Sequence, residues 1–114
     1  GRRMTQWTDI GALEDIPERG ARVVRTHVGC IAVFRTVDNE VFAIDDACPH
    51  KGGPLSEGIV HGRSVTCPLH NMVLRLDTGL AQGADTGTVN TYPIRIADGR
   101  ILLDTAKLRR ERAA

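Results

Sequence analysis

Cys48-Pro49-His50-Lys51-Gly52-Gly53-Pro54-Leu55, answered further on by Cys67-Pro68-Leu69-His70-Asn71, is the stretch that decides how this chain folds. Each segment offers one thiol and one imidazole. The 16 residues between His50 and Cys67 are enough for a loop, a β-hairpin and a second loop that bring the two pairs to one point. Two Cys and two His at matched loops read as the ligand set of an iron–sulfur cluster. Neutral imidazoles replacing two thiolates on one iron remove two negative charges and raise the reduction potential. Cys48 and Cys67 would hold the inner iron, and His50 and His70 the outer, more exposed one. Pro49 and Pro68 fix φ directly after each cysteine. Gly52, Gly53 and Gly62 let the backbone turn or approach closely, and such loops can aim N–H groups at sulfur. A chain organised this way carries electrons.

Three weaker readings stand beside this one. Structural zinc sites space their ligands as Cys-x(2–4)-Cys and His-x(3–5)-His, whereas Cys and His alternate here and the first pair is separated by a single residue. A Cys–His nucleophile needs one thiol and one base, which leaves the second pair without a purpose. Packing alone does not call for two matched pairs.

Length and composition fit a carrier. A chain of 114 residues builds one core but not a substrate-sized catalytic cleft as well. The formal charge is +1, from 15 basic and 14 acidic residues, so no field of one sign points to nucleic acid or an anionic membrane, and the expected partners are proteins. No stretch approaches the roughly 20 apolar residues of a membrane helix, and Gly1-Arg2-Arg3-Met4 is not followed by an apolar signal core. The expectation is a soluble, cytoplasmic protein. Three cysteines suit cofactor ligation plus one spare better than a disulfide framework.

Period-2 alternation and turn residues predict an all-β domain. Ala21–Val28, Cys30–Val37 and Glu40–Ile44 form a predicted meander, with Asp38-Asn39 as a turn. Tyr92, Ile94 and Ile96 form one strand that turns at Asp98-Gly99 into Arg100–Asp104. Between the two lies a Gly- and Pro-rich region, Asp45 to about Gly87, expected as a cluster-binding subdomain inserted into a single domain spanning residues 1–114. It has its own hairpin, Gly58–His61 and Arg63–Cys67, turning at His61-Gly62. Helix is expected only around Gly11–Ile16, stopped by Pro17, and in the tail Thr105–Arg112.

These residues resemble the Rieske iron–sulfur proteins over nearly the whole chain, including Trp7–Ile10, Val41–Ile44 and Tyr92-Pro93-Ile94. The resemblance implies an antiparallel β-sandwich carrying a [2Fe–2S] cluster on Cys48, His50, Cys67 and His70. Within the family, Pro49 to Leu55, Gly58 to Gly62 and Cys67 to Asn71 look most like the small subunit of assimilatory NAD(P)H-dependent nitrite reductase. That implies one-electron transfer beside a large subunit carrying sirohaem and flavin, with no catalysis by this chain alone. The alternative is a free Rieske ferredoxin that passes electrons from a flavin reductase to an aromatic-ring dioxygenase or related oxygenase. Relatives of that type usually carry an aromatic after the second Cys-Pro and Gly after the second His, where Leu69 and Asn71 stand, and prolines in the third loop, Gln82–Gly87 here. The respiratory branch has a disulfide at positions matching Gly53 and Leu69, and hydroxyls donating to sulfur at those matching Met72 and Leu74. Their absence implies a potential toward the lower end of the Rieske span of about −150 to +300 mV.

Other candidates have plainer readings. Cys30, in phase with Ala32 and Phe34, is expected to be a small buried hydrophobe. His27 and His61 lack a matched cysteine and read as surface or turn residues. Trp7 and Phe42 read as core, and Arg109-Arg110-Glu111-Arg112 as a solvated tail. Lys51, Pro54, Leu55, Leu69 and Met72 either shield the cluster or form a docking face around it.

Overall fold

The run Ile31-Ala32-Val33-Phe34 is apolar without a break, the pattern of a strand covered on both faces. In the computed structural model, which describes residues 7–26, 29–46, 55–68, 72–81 and 87–104, it forms the middle of β3 (Gly29–Arg35). β2 (Ala21–Thr26) and β4 (Val41–Asp45) pair antiparallel with it on either side, and β8 (Thr91–Tyr92) completes a four-stranded sheet in the order β2-β3-β4-β8. Alternate side chains serve two cores. Ala32, Phe34 and Ile44 belong to one apolar cluster, and Ile31, Val33 and Ala43 to the other.

Each cluster is completed by a further three-stranded sheet. The first sheet, ordered β1-β10-β9, comprises β1 (Trp7–Ala12), β10 (Arg100–Asp104) and β9 (Ile94–Ala97), and lends Ile101 and Leu103 to the Ile31 cluster. The second comprises β5 (Ile59–His61), β6 (Ser64–Thr66) and β7 (Val73–Arg75), and lends Val60, Val65 and Leu74 to the Phe34 cluster. The fold is therefore all-β and antiparallel, and the four-stranded sheet lies between the other two. Full burial of each such aliphatic or aromatic side chain stabilises by about 1.5–3 kcal/mol, so the two faces of β3 hold the layers together.

Departures from the sequence expectation have local causes. Pro93 splits the expected strand Tyr92–Ile96: Tyr92 pairs with Ala43 in the four-stranded sheet and Ile94 with Leu103 in the other. Having no N–H to give, Pro93 instead offers its carbonyl to the Asp104 N–H at 3.0 Å, and the chain changes sheets there. The β5–β6 turn is Gly62-Arg63, one residue later than expected, because His61 pairs with Ser64. Asp98 and Gly99 turn as expected, with φ of 51° and 75°, both in the left-handed region that a tight primed hairpin requires. Around Gly11–Ile16 only a single 3₁₀ turn forms, Leu13–Asp15, with Gly11 still in β1. Two elements had no sequence expectation as strands: β1, whose partner β10 lies at the far end of the chain, and β7, three residues long. Trp7 is 37% exposed instead of core, with the Arg95 guanidinium 4.7 Å above its ring, while Phe42 packs against the Phe34 cluster as expected. The tail expectation, Thr105–Arg112, lies outside the described residues.

Gly58 sits where β5 leaves a second 3₁₀ turn, Leu55–Glu57, and has no room for a side chain. A Cβ there would run into the Thr66 carbonyl oxygen and lie 2.9 Å from Val65 Cγ2 and 3.1 Å from the Leu55 oxygen. Two of these three are backbone atoms that cannot rotate away. Gly58→Ala should therefore destabilise the fold by about 1–3 kcal/mol, as overpacking does. Denaturant unfolding of the cluster-free protein measures this as a lower midpoint; an unchanged midpoint would show that β5 can shift to make room.

Candidate metal centre

Of the four expected ligands, Cys67 lies among the described residues; Cys48, His50 and His70 lie outside them, as do Lys51, Gly52, Gly53, Pro54, Leu69, Asn71 and His27. The structure does describe the points from which both ligand segments spring. The second is a six-residue connection between β6 and β7, whose last rung is Thr66 with Val73. Inside that rung the Cys67 N–H donates to the Met72 carbonyl at 2.7 Å, so the loop 67–72 is closed at its neck by backbone alone. Cys67 is fully buried, in one apolar cluster with Leu55, Val65, Met72 and Leu74. Leu55 opens the chain's return from the first segment. One apolar cluster thus holds the end of the first segment and both ends of the second.

The first segment leaves β4 at Asp45-Asp46. These neighbouring carboxylates reach in different directions. Asp45 Oδ1 accepts from the Tyr92 hydroxyl at 2.6 Å and Oδ2 from the Asn90 N–H at 3.1 Å, while its own N–H donates to the Asn90 carbonyl at 3.1 Å. Asp46 donates its N–H to the Cys30 carbonyl at 3.0 Å. Its Oδ1 accepts from the Ser56 N–H at 2.7 Å and its Oδ2 from the Ser56 hydroxyl at 3.0 Å. Asp45 thus ties the start of the segment to β8, and Asp46 ties it to the segment's own far end. The third loop is closed in a similar way, by the Ala81 N–H donating to the Gly87 carbonyl at 3.1 Å.

A sulfur withdrawn from water among aliphatic side chains suits the inner, thiolate-bound iron of a mixed Cys/His cluster. Met72 and Leu74 are both buried beside it and carry no N–H or O–H on their side chains to offer sulfur. Among the described residues, two arginines of the small sheet are paired: Arg63 grips Glu40 at 2.9 and 2.9 Å, and Arg75 grips Asp77 at 2.9 and 2.8 Å. The Arg75 hydrogen bonds hold the Asp77 carboxyl below the usual carboxylate range. His61 is exposed, as expected, and its Nε2 lies 2.7 Å from the Thr66 hydroxyl. A recess of about 250 Å3 opens between Phe42, Leu76, Tyr92, Pro93 and Ile94, smaller than the roughly 300–1,000 Å3 of small-molecule sites.

Cys30 does not follow expectation. It is exposed, because its position in phase with Ala32 and Phe34 falls at the end of β3, on the rung with Arg25, where cover from the small sheet has run out. Sequence reasoning also passed over Asp45, Asp46, Ser56 and Tyr92. The only signal was two acids ending an apolar strand directly before a ligand segment; their partners lie too far along the chain to be paired by pattern.

The Rieske-like [2Fe-2S] domain model matches residues 6–104. The ferredoxin component of the naphthalene 1,2-dioxygenase/salicylate 5-hydroxylase systems of Ralstonia sp. is 36% identical over 102 residues, covering 88% of this chain and 97% of that protein. The anthranilate 1,2-dioxygenase ferredoxin subunit of Burkholderia cepacia is 40% identical over 101 residues, covering 86% and 91%. Among solved structures, a candidate NADH-dependent nitrite reductase small subunit from Mycobacterium tuberculosis superposes with a TM-score of 0.79 at 28% identity, covering 89% of this chain and 96% of that one.

Burial separates the two described thiols. In the folded, cluster-free protein an alkylating reagent should modify Cys30 promptly, whereas Cys67 reacts only once denaturant is added. Peptide mapping by mass spectrometry assigns the sites, and early modification of Cys67 would contradict its closed surroundings.

Proposed function

The chain belongs to the Rieske-like [2Fe–2S] domain family, and from that membership we propose that it is the ferredoxin of a multicomponent oxygenase, taking single electrons from a flavin reductase and delivering them to the terminal oxygenase. Holding a [2Fe–2S] cluster and transferring electrons between protein partners follow from the family itself. The choice of system is supported by one observation above the rest: relatives 36% and 40% identical, matched over nearly their full length, are ferredoxin components of aromatic dioxygenase systems. The nitrite-reductase reading rests on Pro49 to Leu55, Gly58 to Gly62, Cys67 to Asn71 and the proline-free Gln82–Gly87, all between residues 49 and 87 of the chain. Whole-chain similarity weighs the strands as well, and it favours the ferredoxin alternative. Superposition on a candidate nitrite reductase small subunit keeps that role as the second reading, at the lower identity of 28%.

In this reading Cys48 and Cys67 hold one iron and His50 and His70 the other. The cluster, when bound, supplies a single-electron couple whose potential is raised by imidazole ligation. The chain's own residues do the rest. Leu55, Met72 and Leu74 keep water from the Cys67 sulfur. The backbone bond from Cys67 to Met72 fixes the neck of the loop that carries His70.

Anaerobically reconstituted protein should show the optical and EPR spectra of a mixed Cys/His cluster, with an average g value below that of all-cysteine clusters. Cys67→Ser should abolish the native spectrum. His70→Cys, where a cluster still assembles, should lower the potential by adding thiolate charge, and an unchanged or higher potential would refute the ligation. To settle the system, the reduced protein is mixed with an aromatic-ring dioxygenase oxygenase and, separately, with a nitrite reductase large subunit. Oxidation by the oxygenase with product formation is the expected result; turnover confined to the nitrite reductase would reverse the assignment.

A further inference from the structure

We propose that Asp46 is a positioning residue for the segment 47–54: by gripping Ser56 through both carboxylate oxygens, it closes the segment on itself and fixes how Cys48 and His50 meet the cluster. The proposal rests on the reading of those two residues as ligands. Its basis is an asymmetry between the two ligand-bearing segments. The second is closed by backbone, Cys67 N–H to Met72 carbonyl, and needs no particular side chain there. No backbone bond of that kind links Asp46 to Ser56. What joins them is the Asp46 side chain, through Oδ1 to the Ser56 N–H at 2.7 Å and Oδ2 to the Ser56 hydroxyl at 3.0 Å.

Both ends of this clamp are themselves immobilised. Asp46 is held from behind by its N–H on the Cys30 carbonyl, and the preceding residue by Asn90 and Tyr92. Ser56 follows Leu55, whose side chain is fully buried among Val65, Cys67 and Met72. A charge-assisted, two-point contact between fixed ends defines orientation as well as distance, which a single hydrogen bond does not. The eight residues 47–54, which include Cys48 and His50, thus lie between the two partners of this contact. Removing groups that orient metal ligands typically costs ten- to a hundred-fold in affinity. A carboxylate so close in sequence to the ligand pair could also act through its charge. The clamp is told apart from that by changes that break the contact and leave the charge in place.

The test uses the full chain with its cluster reconstituted, as the parent protein and as Asp46→Ala, Asp46→Asn and Ser56→Ala. Iron release to a chelator, EPR g values and line widths, and reduction potential are measured for each, with unfolding of the cluster-free form as a control. Asp46→Ala should release iron about ten-fold faster and give broadened, shifted EPR lines. Ser56→Ala keeps the charge and the backbone contact, and should move the same readouts less. Asp46→Asn keeps one acceptor and should fall between Asp46→Ala and the parent. If the variants unfold more easily yet match the parent in g values, potential and iron release, the contact is a structural brace and the proposal fails. It also fails if Ser56→Ala is silent while Asp46→Asn equals Asp46→Ala, because charge alone then explains the effect. Should Asp46→Ala not fold, Ser56→Ala decides between these outcomes. A parent protein that binds no iron or sulfide would instead overturn the ligand reading and the clamp with it, a result distinct from a loaded parent with silent variants.

Discussion

The rest of the structure depends on β3 and β4 being covered on both faces. Phe34, Ala32 and Ile44 look toward the small sheet that carries the candidate centre, and Ile31, Val33 and Ala43 toward the sheet formed by the two ends of the described chain. A strand buried on both sides cannot slip by one residue without exchanging the two sets. Here the exchange would put Phe34 where Val33 fits and Ala32 where Ile31 fits, changing volume in both cores at once. Register in this hairpin therefore fixes the height at which β4 ends, and with it where Asp45 and Asp46 release the first ligand-bearing segment.

From that constraint the centre is assembled by closing loops and not by building a cleft. Three connections in the small sheet's neighbourhood are pinned at their necks: one by the Asp46 carboxylate, one by the Cys67 N–H, one by the Ala81 N–H. The necks of these connections, held against strand ends, share the precision of the strands. The interior between them is aliphatic, with Cys67 its only sulfur nucleophile among the described residues. This combination suits a carrier.

Much of this was legible in the sequence, for reasons that differ from element to element. The two Cys/His segments stand out as candidate ligands because metal chemistry demands particular residue types at fixed spacing, and Asp98-Gly99 was legible because positive φ demands particular residues at a turn. The unbroken apolar run 31–34 has the pattern of a strand covered on both faces but does not say which sheets cover them. What escaped were features decided at long range. β1 becomes a strand through β10, some ninety residues on, and β7 through a partner across the Cys67 loop. Cys30 was misplaced because phase along a strand predicts the face and says nothing of where the covering sheet ends. Pro93 was read as part of one strand although a residue without an N–H suits a point at which the chain leaves one sheet for another.

The assignment of system shows the same division between local and distributed information. Resemblance over Pro49 to Leu55, Gly58 to Gly62 and Cys67 to Asn71 samples the surroundings of the candidate ligands, whereas whole-chain identity samples the strands as well. In the strands, replacing one side chain of two close-packed cores constrains its neighbours. Of the tuning positions, the structure describes Met72 and Leu74, and both face the Cys67 cluster with hydrocarbon or thioether. Neither side chain can donate to sulfur, and donors favour the more negative, reduced state, so these two residues argue for a low potential within the Rieske range whichever partner the electron reaches.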